Sequence, residues 1–210
     1  FFEIGVFTAA VWLSGTLGKN AQAANQIALN LSSMTYMIAV GLSVTATIRV
    51  WNQKGLKRPT ELRRIAKSIF FMGFVFALFF ALIFLAFHQI LPTFYLDLND
   101  LEHFSDNQSV VQIASTLLII AALFQISDST QVVFLGALRG LQDVKIPTFI
   151  TFIAYWVIGF PISYYLGNAS RYGSTGIWIG LLAGLTASSV FLYIRFDYLT
   201  TKLITKQKKS

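Results

Sequence analysis

Residues 69–87 read IFFMGFVFALFFALIFLAF, nineteen positions without a charge. As an α-helix this run measures about 28 Å, close to the roughly 30 Å thickness of a bilayer's hydrocarbon core. In lipid a spanning backbone must satisfy its own hydrogen bonds, and an α-helix does so within itself. In water the same helix would need apolar cover on every side. Nothing in the chain is set aside to provide that cover, because the run is one of several. Apolar blocks are expected to span at about 1–18, 26–50, 66–91, 109–137, 146–167 and 174–199, with a basic tail over 200–210. Turn and breaker residues separate them: Gly18-Lys19-Asn20, Gly55 to Pro59, Pro92, Gly140, Gly167-Asn168 and Gly173. The fold class this predicts is all-α integral membrane, with six transmembrane helices. Charged residues make up 12% of the chain, against about 25% in soluble domains.

The charges that remain orient the spans. The stretch RVWNQKGLKRPTELRRIAK, between the second and third blocks, holds seven Lys/Arg and one Glu. Arg139 and Lys145 lie between the fourth and fifth, and Arg195, Lys202, Lys206, Lys208 and Lys209 close the chain. All of these fall on one side. The other side carries Lys19, Arg171 and the acidic loop DLNDLEHFSD. By the positive-inside rule the basic side is cytoplasmic, which puts the C-terminus inside and implies a multi-pass protein of the plasma (inner) membrane. The net charge of +7 then reflects topology and contact with anionic lipid headgroups rather than nucleic-acid binding. The absence of cysteine excludes disulfides, thiolate metal sites and cysteine nucleophiles. The first block also lacks the basic n-region and small-residue cleavage site of a signal peptide.

Two carboxylates are not in loops. Glu3 lies near the start of the first block and Asp128 within the fourth. An acid at a helix centre costs about 2.5–3.5 kcal/mol on insertion scales, so both are expected to face the bundle interior or water. Glu3 is about 22 Å, and Asp128 about 27 Å, from the outer end of its block. At that common depth the two acids could share a cation or a proton. Equally, each could hydrogen-bond a neighbouring helix on its own. Gln26, Asn30 and Ser33 recur on one helical face of the second block, and Gln125 and Gln131 flank Asp128 in the fourth. Asn30, Ser33, Gln125 and Gln131 are candidates for lining a wet cavity, the alternative being interhelical hydrogen bonds of about 1 kcal/mol or less. Pro161 is a candidate kink in the fifth block. Gly176, Gly180, Gly184 and Ser188 form a small-xxx-small ladder that predicts close helix packing in the sixth.

No HExxH, phosphate-binding loop or Asp-rich diphosphate motif is present, and His88 and His103 stand alone. The chain therefore reads as a non-enzyme without a cofactor. With no nucleotide-binding segment in it, any driving force would be an ion gradient.

Three stretches, NQIALNLSSMTYMIAVGLSVTATIRV, DSTQVVFLGALRGLQDVKIPTFITFIAYWVIGFPISYYLG and GSTGIWIGLLAGLT, together resemble the C-terminal half of multidrug and toxic compound extrusion (MATE) transporters of the NorM type. The resemblance covers nearly the whole chain, in order and spacing. It implies helices seven to twelve of a twelve-helix protein, one lobe of two related by a pseudo-two-fold axis. The opening FFEIGVF then resembles the interior of the seventh helix. The N-terminal lobe would be supplied upstream in the same chain or, in a split transporter, by a separate one. Glu3 and Asp128 match the family's acids on the seventh and tenth helices, which implies that they bind the coupling ion, Na⁺ or H⁺. The implied function is the C-lobe of a cation-coupled multidrug efflux antiporter, exporting amphipathic, often cationic, toxic compounds by alternating access. The implied partners are small-molecule drugs or organic cations, membrane lipids and the other lobe. The alternatives are a lipid-linked oligosaccharide flippase of the same superfamily, an integral-membrane lipid transferase and a non-transporting assembly or sensor subunit. No Lys or Arg lies deep in any block to meet a flippase's pyrophosphate ligand.

Overall fold

A computed structural model describes residues 2–96, 104–169 and 172–209, without the side chains of residues 2–4, 168, 169 and 209. Most of the acidic loop, Arg171, His103 and the Glu3 side chain lie outside the described residues. Helix α1 (Phe2–Thr16) ends where Gly18 takes a φ of 110°, a region open to glycine for want of a Cβ. Helix α2 (Lys19–Gly55) follows at once. A short turn through Lys57 leads to α3 (Pro59–Phe87), which has proline in its first turn where no backbone donor is lost. A 3₁₀ turn (Leu91–Tyr95) precedes α4 (Phe104–Gly140). The fifth span is composite: α5 (Lys145–Phe152), a π-helical stretch (Ile153–Gly159), α6 (Phe160–Tyr164) and a second π stretch (Tyr165–Ala169). Helix α7 (Gly173–Lys209) closes the chain. Five of these six units are long and apolar enough to cross a membrane, and α1 contributes a shorter apolar stretch, Gly5–Thr16. The protein is an all-α, multi-pass membrane protein.

Helices α2, α4 and α7 each run 37 residues, about 55 Å, well beyond a bilayer core. Much of the excess lies at the basic ends of the helices. Residues 200–209, expected as a tail, continue α7 as helix. The reason is an apolar seam, Phe196, Leu199 and Leu203, that packs with Leu62 of α3. Arg63 pairs with Asp197, Gln207 Nε2 donates to Lys57 O at 3.0 Å, and Arg195 Nε donates to Asp143 Oδ2 at 2.8 Å. These bonds tie the α2–α3 turn and the α4–α5 turn to α7.

Small residues set the packing. Where α2 crosses α4, a Cβ on Gly136 would lie 2.2 Å from the Ser43 carbonyl oxygen. The approach is sealed by Ser43 Oγ donating to Val132 O at 2.7 Å and Thr47 Oγ1 donating to Gly136 O at 2.9 Å. The ladder on α7 does pack closely: a Cβ on Gly180 would lie 2.2 Å from Ser163 N, and Gly184 faces Gly159. Helix α4 sits at the centre and joins two apolar cores. One core gathers Leu117, Leu118, Phe124, Tyr155 and Trp178, and the other, nearer the basic ends of the helices, gathers Val50, Leu62, Phe134, Leu138 and Phe196.

Candidate functional site

Between the two cores the buried side chains turn polar. On α4 this layer holds Gln125, Asp128, Ser129 and Gln131, and on α7 it holds Ser188 and Ser189. A 3.6-residue period cannot place 125, 128 and 131 in one line, so the three groups fan across α4 toward different neighbours. Asp128 is 7% exposed and Gln125 4%. Together with Thr35 and Tyr36 of α2, Gly73 of α3 and Ser129, they line a crevice of about 10 Å³, room for about one water. Ser129 Oγ donates to Gly73 O at 3.2 Å. Both amide atoms of Gln125 are buried without a protein partner. Gln131 faces the fifth span instead: its Oε1 accepts from the Tyr155 hydroxyl at 2.9 Å, and its Nε2 is buried without a partner.

Buried amide groups without partners cost about 1–3 kcal/mol each unless water or an ion satisfies them. Beside a carboxylate, the free Gln125 oxygen makes a second hard donor. Oxygen donors of this kind suit Na⁺ or a hydrated proton rather than a transition metal. Among the described residues no three His, Cys, Asp or Glu side chains cluster as a metal site.

The expected site residues are partly brought together. Gln125 and Asp128 share the crevice, and Gln131 lies one turn below on another face. Asn30 and Ser33 sit on the exposed side of α2. There Asn30 Oδ1 accepts from the Tyr95 hydroxyl at 3.1 Å, and Ser33 Oγ donates to Asn30 O at 2.7 Å. Gln26 is on the same exposed side. The face of α2 that meets α4 is the small-residue register Ala21, Ala24, Ala28, Ser32, Ala39, Ser43 and Ala46. Its spacing of three, four and seven is legible in the sequence once sought, and it would have pointed to Asn25, whose Oδ1 accepts from Trp178 Nε1 at 2.9 Å. Thr35 and Tyr36 were missed because they lie between the small positions.

Helix register gives the level of position 3. The rings of Phe7 and Phe124 meet edge to face at 5.9 Å. In a six-span chain α1 and α4 run antiparallel, so one turn from Phe7 toward the start of α1 and one turn from Phe124 toward the end of α4 reach positions 3 and 128.

Pro161 lies in α6 between the two π stretches. Just ahead of it the Phe160 N–H reaches back five residues to Tyr155 O. A widened turn makes room for a proline ring that would strike the carbonyl four residues before it in a regular helix. The same stretch carries Tyr155, fully buried, to Gln131. Tyr155→Phe is expected to leave both ends of the Gln131 amide unpartnered. The cost should be about 1–2 kcal/mol of stability, read as a lower unfolding temperature in detergent, with Gln131→Leu in the same background restoring part of it.

Against known proteins, the MatE family profile matches residues 1–165. The chain is 39% identical over 199 residues to the multidrug resistance protein MdtK of Proteus mirabilis, covering 93% of this chain and 42% of that protein. It is 34% identical over 195 residues to the probable multidrug resistance protein NorM of Brucella suis, covering 93% and 41%. The chain thus spans about two-fifths of the length of these curated relatives. The fold is similar to that of the eukaryotic MATE transporter AtDTX14, with a TM-score of 0.80 at 22% identity over 97% of this chain and 45% of that one. An outward-facing multidrug resistance MATE transporter gives 0.83 at 13% identity over 97% and 43%.

Proposed function

Since the chain belongs to the MatE family, we propose that it forms the C-terminal lobe of a cation-coupled multidrug efflux antiporter. The observation that carries the coupling is the buried carboxylate of Asp128 in a narrow, largely apolar crevice, beside a glutamine with no protein partner for either amide atom. In low dielectric the energy of a carboxylate depends strongly on whether a cation or proton sits beside it. Occupancy of this site therefore changes the relative stability of the lobe's conformations, and that is the requirement for coupling. Asp128 would hold the ion or proton, Gln125 Oε1 would add a neutral oxygen, and Glu3 at the same helical level would supply the second carboxylate.

The drug-facing surface is assigned to the α1–α2 hairpin. There Trp12 of α1 is 71% exposed, and Met34 and Met37 (71%) share the exposed face of α2 with Asn30 and Ser33. Polarizable, flexible methionines and a broad aromatic ring accept amphipathic cations of varied shape. The other lobe would complete this surface. The basic ends of the helices favour, by the positive-inside rule, a cytoplasmic C-terminus and a location in the plasma (inner) membrane.

The test is reconstitution of the complete transporter in proteoliposomes loaded with a cationic dye. Dye transport is expected to follow an imposed Na⁺ or H⁺ gradient and to stop when that gradient is dissipated. Transport indifferent to both gradients would overturn the coupled reading.

A further inference from the structure

Helix α3 buries a seam, Leu62, Ala66, Ile69, Gly73, Ala77, Ala81 and Phe84, and leaves its opposite face bare. Its bare side is a continuous stripe at helical spacing: Phe71, Val75, Leu78, Leu82 and Leu85. From Phe71 to Leu85 the stripe runs about 21 Å, longer than the roughly 15 Å of one leaflet's hydrocarbon. Its span also has the highest mean hydropathy of the five, 2.8. Directly above it toward the cytoplasm, on the same face, stand Arg64 and Lys67, both exposed.

The neighbouring arginine makes the contrast. Arg63 turns inward and spends its guanidinium on Asp197 and Thr201 of α7. Among the described residues no carboxylate lies within ion-pair distance of Arg64 or Lys67. Ser68, beneath them, donates to Arg64 O at 3.1 Å, which keeps its hydroxyl on the helix. Two cations without an ion-pair partner among the described residues therefore crown an acyl-length apolar track, at the end where a headgroup phosphate would meet them.

We propose that this face of α3 binds one anionic phospholipid of the cytoplasmic leaflet, with its phosphate held between Arg64 and Lys67 and an acyl chain laid along Phe71, Val75, Leu78 and Leu82. Arg64 offers a planar, multi-donor fork to the phosphate oxygens, and Lys67 adds a point charge one turn below. The site rests on the membrane-spanning fold alone and is independent of the transport reading.

Native mass spectrometry of the protein purified in detergent, titrated with phosphatidylglycerol or phosphatidylcholine of matched chains, tests it. The parent protein is expected to retain phosphatidylglycerol over phosphatidylcholine. Arg64→Gln/Lys67→Gln should weaken the phosphatidylglycerol adduct by roughly tenfold or more, and Arg64→Lys/Lys67→Arg should keep most of it. Lys202→Gln/Lys206→Gln removes the same charge from the cytoplasmic end of α7. An equal loss in that control would mean diffuse surface attraction and overturn the site, as would equal retention of the two lipids by the parent. Unchanged unfolding temperatures of the variants without added lipid would show that the comparison is between folded proteins.

Discussion

Asp128→Asn is expected to reduce gradient-driven efflux of a cationic dye by at least about 100-fold, to the level of empty vesicles, while membrane insertion and yield stay normal. Asparagine has nearly the volume of aspartate and keeps one carbonyl oxygen, so the crevice with Thr35, Tyr36 and Gln125 should not collapse. What it loses is the charge. Without it the lobe has no reason to discriminate between an ion-occupied and an ion-free state. A ligand that does not distinguish two states cannot shift them, whatever its affinity. The variant should also be as stable as the parent or more so, because a buried charge has been removed at almost constant shape. Drug binding without a gradient should survive, because the assigned drug surface on α1 and α2 is on other helices. Retained, gradient-dependent efflux by the variant would refute the coupling role of Asp128. Parallel loss of yield and unfolding temperature would assign it a structural role instead.

The second large effect is expected at the α2–α4 crossing. Gly136→Ala places a carbon where the Ser43 carbonyl oxygen lies 2.2 Å away, with Ser43 Oγ at 2.5 Å. Backbone cannot step aside as a flexible side chain can, so the two helices must part. That movement also stretches the bonds from Ser43 Oγ to Val132 O and from Thr47 Oγ1 to Gly136 O. Overpacking and the weakened bonds together should cost about 2–4 kcal/mol, seen as a fall of roughly 5–10 °C in unfolding temperature. Gly41→Ala on α2 is the matched control. Nothing lies within 4 Å of the Cβ it would add, so it should be neutral or slightly stabilising through helix propensity. If the two substitutions behave alike, the close crossing is not a source of stability.

Much of this protein was legible before its fold. The uncharged run over 69–87 dictated a helix at bilayer length, because an α-helix of that length satisfies all its backbone hydrogen bonds internally in hydrocarbon, and its repetition along the chain dictated the bundle. The glycine ladder on α7 was legible for a related reason: without water to drive association, lipid-embedded helices approach where side chains are small. Asp128 stood out because a carboxylate there is costly without a purpose. The limits of this reading came from faces rather than from residues. Gln26, Asn30 and Ser33 formed a visible polar stripe on α2, yet the side turned to α4 is the quieter row of alanines and serines, which carries no polarity to mark it. The C-terminal end of α7 read as a basic tail, because its lysines outweighed the three-residue apolar seam that binds it to α3.

By itself, then, the sequence determined the class, the repetition of membrane-length helices and the acids that needed explaining. These follow from the free energy of each residue in lipid or water, which is a local quantity. Only the tertiary structure decided that Gln125 shares a crevice with Asp128 while Gln131 holds Tyr155, that Arg63 is spent on Asp197 while Arg64 faces outward, and that a polar layer separates two apolar cores. Each of these depends on the rotation of one helix against another. That rotation is set by where backbones approach most closely, as at Gly136 and Ser43, and a one-dimensional pattern does not contain it.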